Sequence, residues 1–279
     1  MRISVIGTGY VGLVSGVCFA EKGHEVVCVD NNDLIVEKIN SSISPIYEKG
    51  LDEMLSSNVG KKLSASTDLY KAIHESDISI LAVGTPYNGD EIDLKFVRDA
   101  TIQIGIALRD KDSYHTVIVK STVIPGTTDD LVIPLLEEYS NKEAGADFGV
   151  GMNPEFLREG EAISDFMNPD RIVLGGIDER THDNMAEIYS GFIGVDIILT
   201  NNKTAEMIKY TSNSLLATLI SFSNEIGNLS ASLGGIDALE VMNGVHLDKR
   251  ISPILDDNKR LSPSIISYLE PGCGFGGSC

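Results

Sequence analysis

Seven short apolar runs recur along the chain: Ile3–Ile6, Glu25–Val29, Ile78–Val83, Thr116–Lys120, Phe148–Met152, Arg171–Leu174 and Val195–Leu199. Polar segments with helical spacing separate them. This alternation is the pattern of a parallel sheet covered by helices, and mostly continuous apolar runs are expected of strands buried on both faces. The expected fold is α/β, a doubly wound parallel sheet, and 279 residues suffice for it plus a smaller second unit.

The pattern changes after Thr200. Lys203 to Leu233 has no internal Pro and carries Met207, Ile208, Leu215, Leu216, Leu219, Phe222, Ile226 and Leu229 at mostly helical spacings. One helix of ~45 Å is expected there, long enough to join two domains or to dimerise. Gly234 and Gly235 would stop it, and Asp237 would cap the next helix. The expected division is 1–200 for the sheet domain and 201–279 for the long helix and a small helical dimerisation unit.

The first run enters Gly7-Thr-Gly9-Tyr-Val-Gly12, with a helical segment after it. A G-x-G-x-x-G between strand and helix is a dinucleotide-binding pattern. Gly7 allows the tight turn, Gly9 the close approach of a pyrophosphate, and Gly12 the packing of helix on strand. Asp30 ends the second run, eighteen residues after Gly12. An acid there binds both ribose hydroxyls and repels a 2′-phosphate, so the expected cofactor is NAD.

Forty-one acidic against 22 basic residues give a net charge of −19, which repels a phosphate backbone and argues against broad nucleic-acid binding. The four cysteines, Cys18, Cys28, Cys273 and Cys279, show no CxxC or zinc spacing. A reduced, cytoplasmic, metal-free protein is expected. Arg2 to Ala20 has the apolar middle of a signal peptide, but four glycines there suit a turn and helix better. No other stretch approaches ~18 uninterrupted apolar residues.

Four further segments fall at or just after expected strand ends, Gly84-Thr85-Pro86, Lys120-Ser-Thr122, Asn153-Pro-Glu155-Phe156-Leu157 and Gly274-Phe-Gly-Gly-Ser-Cys279, with Asn168-Pro-Asp-Arg171, Ala205-Glu-Met-Ile-Lys209 and Asn213 elsewhere. With the glycine motif, they resemble the UDP-glucose/GDP-mannose dehydrogenase family over essentially the whole chain. The resemblance implies a Rossmann-like fold and two successive NAD-dependent oxidations at C6 of a nucleotide sugar. UDP-glucose is the first expected substrate, with GDP-mannose or UDP-N-acetylmannosamine as alternatives.

The resemblance assigns roles residue by residue. Cys279 would add to the first aldehyde and carry it as a thiohemiacetal and then a thioester. Lys209 and Asn213 would stabilise the oxyanion, Glu155 would assist thioester hydrolysis, and Thr122 would hold the water. Tyr10, Val11, Thr85, Thr122 and Glu159 would join the glycines and Asp30 around NAD. Phe156, Leu157 and Arg250 would join Glu155, Lys209 and Asn213 around the sugar nucleotide, and the long helix would form a homodimer.

Local alternatives stay open. By local pattern alone Lys209 reads as a solvated helix residue, a preference the motif reverses; Glu155 reads equally as charge complement to a helix start, and for Arg250 a surface residue in a charged loop is the competing reading. Ser44-Pro-Ile-Tyr-Glu48-Lys49-Gly-Leu51 carries Lys where family members often have Pro, and Ile35 stands where some carry Arg. The sequence ends at Cys279, whose α-carboxylate disfavours a thiolate, so NAD binding with little turnover is expected. A two-electron hydroxyacid dehydrogenase and a non-catalytic NAD-binding or dimerisation module are the competing readings.

Overall fold

The computed structural model describes residues 1–272 and residue 274. Strands run β1 (Arg2–Ile6), β2 (Glu25–Val29), β3 (Leu63–Ser66), β4 (Ile78–Leu81), β5 (His115–Val119), β6 (Phe148–Met152), β7 (Arg171–Gly176) and β8 (Asp196–Thr200). They lie side by side in the order β3-β2-β1-β4-β5-β6-β7-β8, with β1 to β6 parallel. The first six make the 3-2-1-4-5-6 order of a Rossmann-like sheet. Its ligand crevice lies at the carboxyl ends of β1 and β4, where the order reverses.

Two features differ from the expected parallel sheet. β3, Leu-Ser-Ala-Ser, has no apolar run because it is an edge strand buried on one face only. β7 is antiparallel to β6, pairing only Gly151 with Gly176 and Met152 with Gly175. The single helix between them, α7 (Ala162–Met167), has six residues and rises about 9 Å, short of the ~16 Å of a five-residue strand. The chain turns back after it, which starts β7 at Arg171, beside Phe156 beyond the end of β6.

The other helices are α1 (Tyr10–Glu21), α2 (Asp33–Asn40), α3 (Leu51–Asn58), α4 (Leu69–Glu75), α5 (Lys95–Arg109), α6 (Ile133–Ser140), α8 (Glu179–Ile188), α9 (Asn202–Leu233) and α10 (Ala238–His246). Alternate strand residues enter opposite cores. Ile78, Ile80, Ile118 and Leu174 pack with α1, α3 and α8, whereas Leu81, Val117, Val119 and Val173 pack with α4, α5 and α6. Both faces are thus dry through the middle of the sheet, as the continuous apolar runs require; β8 departs from that expectation, since its Ile197, Ile198 and Leu199 are exposed at the sheet edge. Cys18 and Cys28 are buried free thiols in the first core, and burial pushes each up to about 12.

The chain forms two compact units, Met1–Lys209 and Tyr210–Cys279, divided within α9. In the second, Gly234 and Gly235 take φ values of +73° and +70°, ending α9, and Asp237 accepts from Leu239 and Glu240 N–H to start α10. The segment after Tyr268 lies along α9. Ser223 Oγ donates to Leu269 O at 2.5 Å, and Gly272 N donates to Asn224 Oδ1 at 2.9 Å. A Cβ on Gly227 would come within 2.8 Å of Pro271.

A buried polar chain crosses the sheet. His115 Nδ1 faces the carbonyl of Ser76 at 3.2 Å, so Nδ1 carries the proton. Nε2 then accepts from Ser79 Oγ at 2.6 Å, Ser79 from Ser4 at 2.7 Å, and Ser4 from Ser76 Oγ at 3.0 Å. The Ser–His contact has the distance of a nucleophile and base, but all three of Ser4, Ser79 and His115 are wholly buried, so it is structural. Burial, with Lys111 nearby, lowers His115 to about 3 from 6.5. This contribution to stability is present above the unfolded pKa and fades as pH falls toward the folded one. Between pH 7 and pH 4 it amounts to about 3 kcal/mol. Urea unfolding of His115→Asn is expected to show a flatter acid limb than wild type, and identical limbs would refute the assignment.

Candidate active site

The three fingerprint glycines answer to different contacts. Gly7 has φ +94°, and a Cβ there would lie 2.8 Å from Ala82 O; a Cβ on Gly12 would lie 1.9 Å from Gly7 O. Gly9 is different, because nothing lies within 4 Å of where its Cβ would stand. The protein's own packing does not demand glycine at position 9. The first N–H groups of α1 receive no side-chain cap from Gly9, which leaves a helix start with donors and open space. This is the cradle a pyrophosphate requires, and the residues fit NAD.

Asp30, half-buried at the end of β2, organises the same turn. Its Oδ2 accepts from Thr8 N at 3.1 Å and Thr8 Oγ1 at 2.5 Å, and its Oδ1 accepts from Asn32 N at 3.0 Å. Across the crevice order, Thr85 Oγ1 donates to Thr122 O at 2.8 Å, joining the loops after β4 and β5. Glu206, wholly buried on α9, then fixes the second loop. It accepts from Gly126 N at 2.6 Å, Thr128 N at 2.8 Å and Thr128 Oγ1 at 2.7 Å. Burial raises its carboxyl pKa and these donors oppose the rise.

Lys209 and Glu155 meet. Both are buried, and Lys209 Nζ donates to Glu155 Oε1 at 2.8 Å, while Leu157 N donates to Oε2 at 2.7 Å. Neither is the solvated or merely helix-complementing residue that local pattern allowed. A buried ion pair is costly to leave half made, on the order of 3–5 kcal/mol, so the pair holds α9 to the Asn153–Leu157 loop. Phe156 lies between two cations, with Arg171 3.9 Å and Lys209 Nζ 5.6 Å from its ring centroid.

The remaining expected residues fall less tightly. Tyr10 and Val11 open α1 and are half-buried; Glu159 is exposed. Asn213, one turn beyond Lys209 in α9, is exposed. Arg250 is exposed and paired with Asp248 at 2.6 Å, the surface arrangement named as its alternative. Cys279 lies outside the described residues.

Sequence reading missed the support beneath these groups. Lys120, just past β5, is buried and donates to Asn153 Oδ1 at 2.8 Å; Tyr189 Oη donates to the same oxygen at 2.5 Å. Burial lowers the ammonium to about 8, with Glu155 acting in the opposite sense. The available signal was a Lys and an Asn each closing an apolar strand at neighbouring positions in the sheet.

A family model described as UDP-glucose/GDP-mannose dehydrogenase family, NAD binding domain, matches residues 1–193, and that of the central domain matches residues 203–279. The GDP-mannose 6-dehydrogenase of Pseudomonas aeruginosa is 44% identical over all of this chain and 62% of its own length. The UDP-glucose 6-dehydrogenase AglM of Haloferax volcanii is 40% identical over all of this chain and 63% of its own. A UDP-glucose dehydrogenase structure from Pyrobaculum islandicum superposes with a TM-score of 0.89 at 41% identity, covering all of this chain and 61% of that one. The chain thus spans about three-fifths of these relatives. With a cradle that fits NAD and both domain models matched in order, this chain belongs to the UDP-glucose/GDP-mannose dehydrogenase family.

Proposed function

We propose that this protein acts in oxidising the C6 alcohol of a nucleoside-diphosphate hexose to the carboxylate. The buried Lys209–Glu155 pair carries the reading, since it puts a cation and a carboxylate in one dry contact on the unit that holds the fingerprint. NAD, bound by the Gly7–Gly12 backbone and Asp30, supplies the hydride acceptor. Lys209 has three N–H donors and spends one on Glu155, leaving two for the oxygen on C6. Negative charge that develops on that oxygen is stabilised there, with Asn213 as a second donor.

Cys279 is the nucleophile in this reading. Its thiolate forms a C–S bond to the C6 aldehyde as the carbonyl π pair moves to oxygen, and oxidation of the resulting thiohemiacetal leaves a thioester. Glu155 takes a proton from the water that cleaves it, releasing the acid and the thiol. Thr122 orients that water. UDP-glucose, the first substrate expected from the sequence, and GDP-mannose are the two candidates, and the higher identity to the GDP-mannose enzyme, 44% against 40%, supports GDP-mannose.

Exposed Leu215, Phe222 and Leu229 recur every seven residues on α9. Such a seam supports the homodimer, and the reduced thiols of Cys18 and Cys28 fit a cytoplasmic setting. Sedimentation is expected to give a dimer that dissociates in Leu215→Glu/Phe222→Glu; a wild-type monomer would remove this part of the proposal. In turnover assays of a complete homologue with each sugar nucleotide, two NADH per sugar are expected, with aldehyde accumulation or stalling when the cysteine that matches Cys279 is changed to Ser. Replacing the lysine that matches Lys209 with Met is expected to lower kcat there by roughly 10²–10³-fold with NAD affinity unchanged. A stoichiometry of one NADH from the unaltered homologue, with aldehyde as product, would rule out the four-electron route.

A further inference from the structure

The segment from Ser44 to Leu51 has no function in the scheme above, yet its Glu48 is buried against the cofactor elements. Glu48 Oε2 accepts from Tyr10 Oη and, at 2.9 Å, from Gly160 N; Oε1 accepts from Ala162 N at 3.0 Å. Gly160 N also lies 3.0 Å from Tyr10 Oη, so the amide is shared between the phenol and the carboxylate. Burial and the Glu48 partner raise the Tyr10 pKa, which keeps the phenol a donor.

These contacts join three segments far apart in sequence. Tyr10 is the first residue of α1, directly after the open position at Gly9. Gly160 and Ala162 follow the Asn153–Glu159 loop that leaves β6, and the carboxylate itself comes from the turn before α3. An acceptor-only group with three donors fixed around it leaves little freedom for any of them. Losing the carboxylate orphans the buried Ala162 N–H and leaves Gly160 N with Tyr10 Oη alone, and the loop gains freedom to move away from the helix start.

We propose that Glu48 is a positioning residue for the cofactor: through Tyr10, Gly160 and Ala162 it clamps the loop after β6 to the fingerprint turn. The inference rests on the NAD reading of that turn. The loop carries Glu155 and Glu159 and bounds the crevice away from Asp30, so the clamp acts on the nicotinamide half of NAD and leaves the adenosine half alone.

The test is calorimetric titration of the 279-residue chain and its variants with NAD and, separately, with AMP. Glu48→Ala is expected to weaken NAD about tenfold while AMP stays within about twofold. Glu48→Gln retains an acceptor for Ala162 N, and Tyr10→Phe removes one donor, so each is expected to weaken NAD by about threefold. The Glu48→Ala/Tyr10→Phe double variant is expected to bind NAD as Glu48→Ala does, because both changes release one contact set. Thermal midpoints identify any variant that fails to fold, and Glu48→Gln and Tyr10→Phe then decide the matter between them. Unchanged NAD affinity in the folded variants, or equal loss for NAD and AMP, would overturn the clamp. Wild-type NAD binding, measured in the same series, judges the cofactor reading separately.

Discussion

The contact between Gly12 and the Gly7 carbonyl sets the geometry on which the rest of the unit depends. A methyl group at position 12 would sit 1.9 Å from that oxygen, so only a bare Cα lets α1 approach β1 at this angle. Gly16 repeats the demand one turn on, where a Cβ would meet Cys28 Sγ at 2.7 Å. Close approach buries Leu13, Val14 and Val17 completely against the sheet, and it aims the helix start at the place where β1 and β4 part.

Beyond the strand ends, apolar packing gives way to charge. Three buried carboxylates, Glu48, Glu155 and Glu206, each accept main-chain N–H groups from a loop that leaves the sheet. Hydrogen bonds to a charged acceptor contribute about 1.5–3 kcal/mol each, and unlike apolar burial they are directional. Loops rich in Gly, Pro and Thr have little apolar surface to fix them, so directional ties hold them where function needs fixed distances. Glu206 and Lys209 lie one turn apart on α9, which binds two of these loops to one helix.

The sequence showed the strands buried on both faces through their continuous apolar runs, and it showed β8 as well, whose Ile197-Ile198-Leu199 run is continuous although the strand is exposed at the sheet edge. β3 escaped notice since its Ser64 and Ser66 alternate with Leu63 and Ala65 at an edge. The reversal at β7 left no mark either, because strand direction depends on how far the connecting segment travels and not on the strand's own residues. At the site, Gly7, Gly12 and Asp30 were legible from spacing, whereas Lys209 needed its motif: a lone Lys on a long helix looks solvated until Glu155, 54 residues away, is brought to it. Glu48 and Lys120 were quoted only as parts of segments, because burial of a charge is invisible until its donors are assembled. Cys279 was read from the motif alone.

Gly9 has a consequence of another kind. Its neighbours in the triplet are held by the fold, so a lineage cannot lose them and remain folded. Position 9 is held by nothing in the polypeptide. A descendant that stopped using dinucleotide could take alanine or serine there at no conformational penalty while keeping its partners at 7 and 12. Among such sequences that one site would therefore register, by itself, whether the crevice still serves a guest.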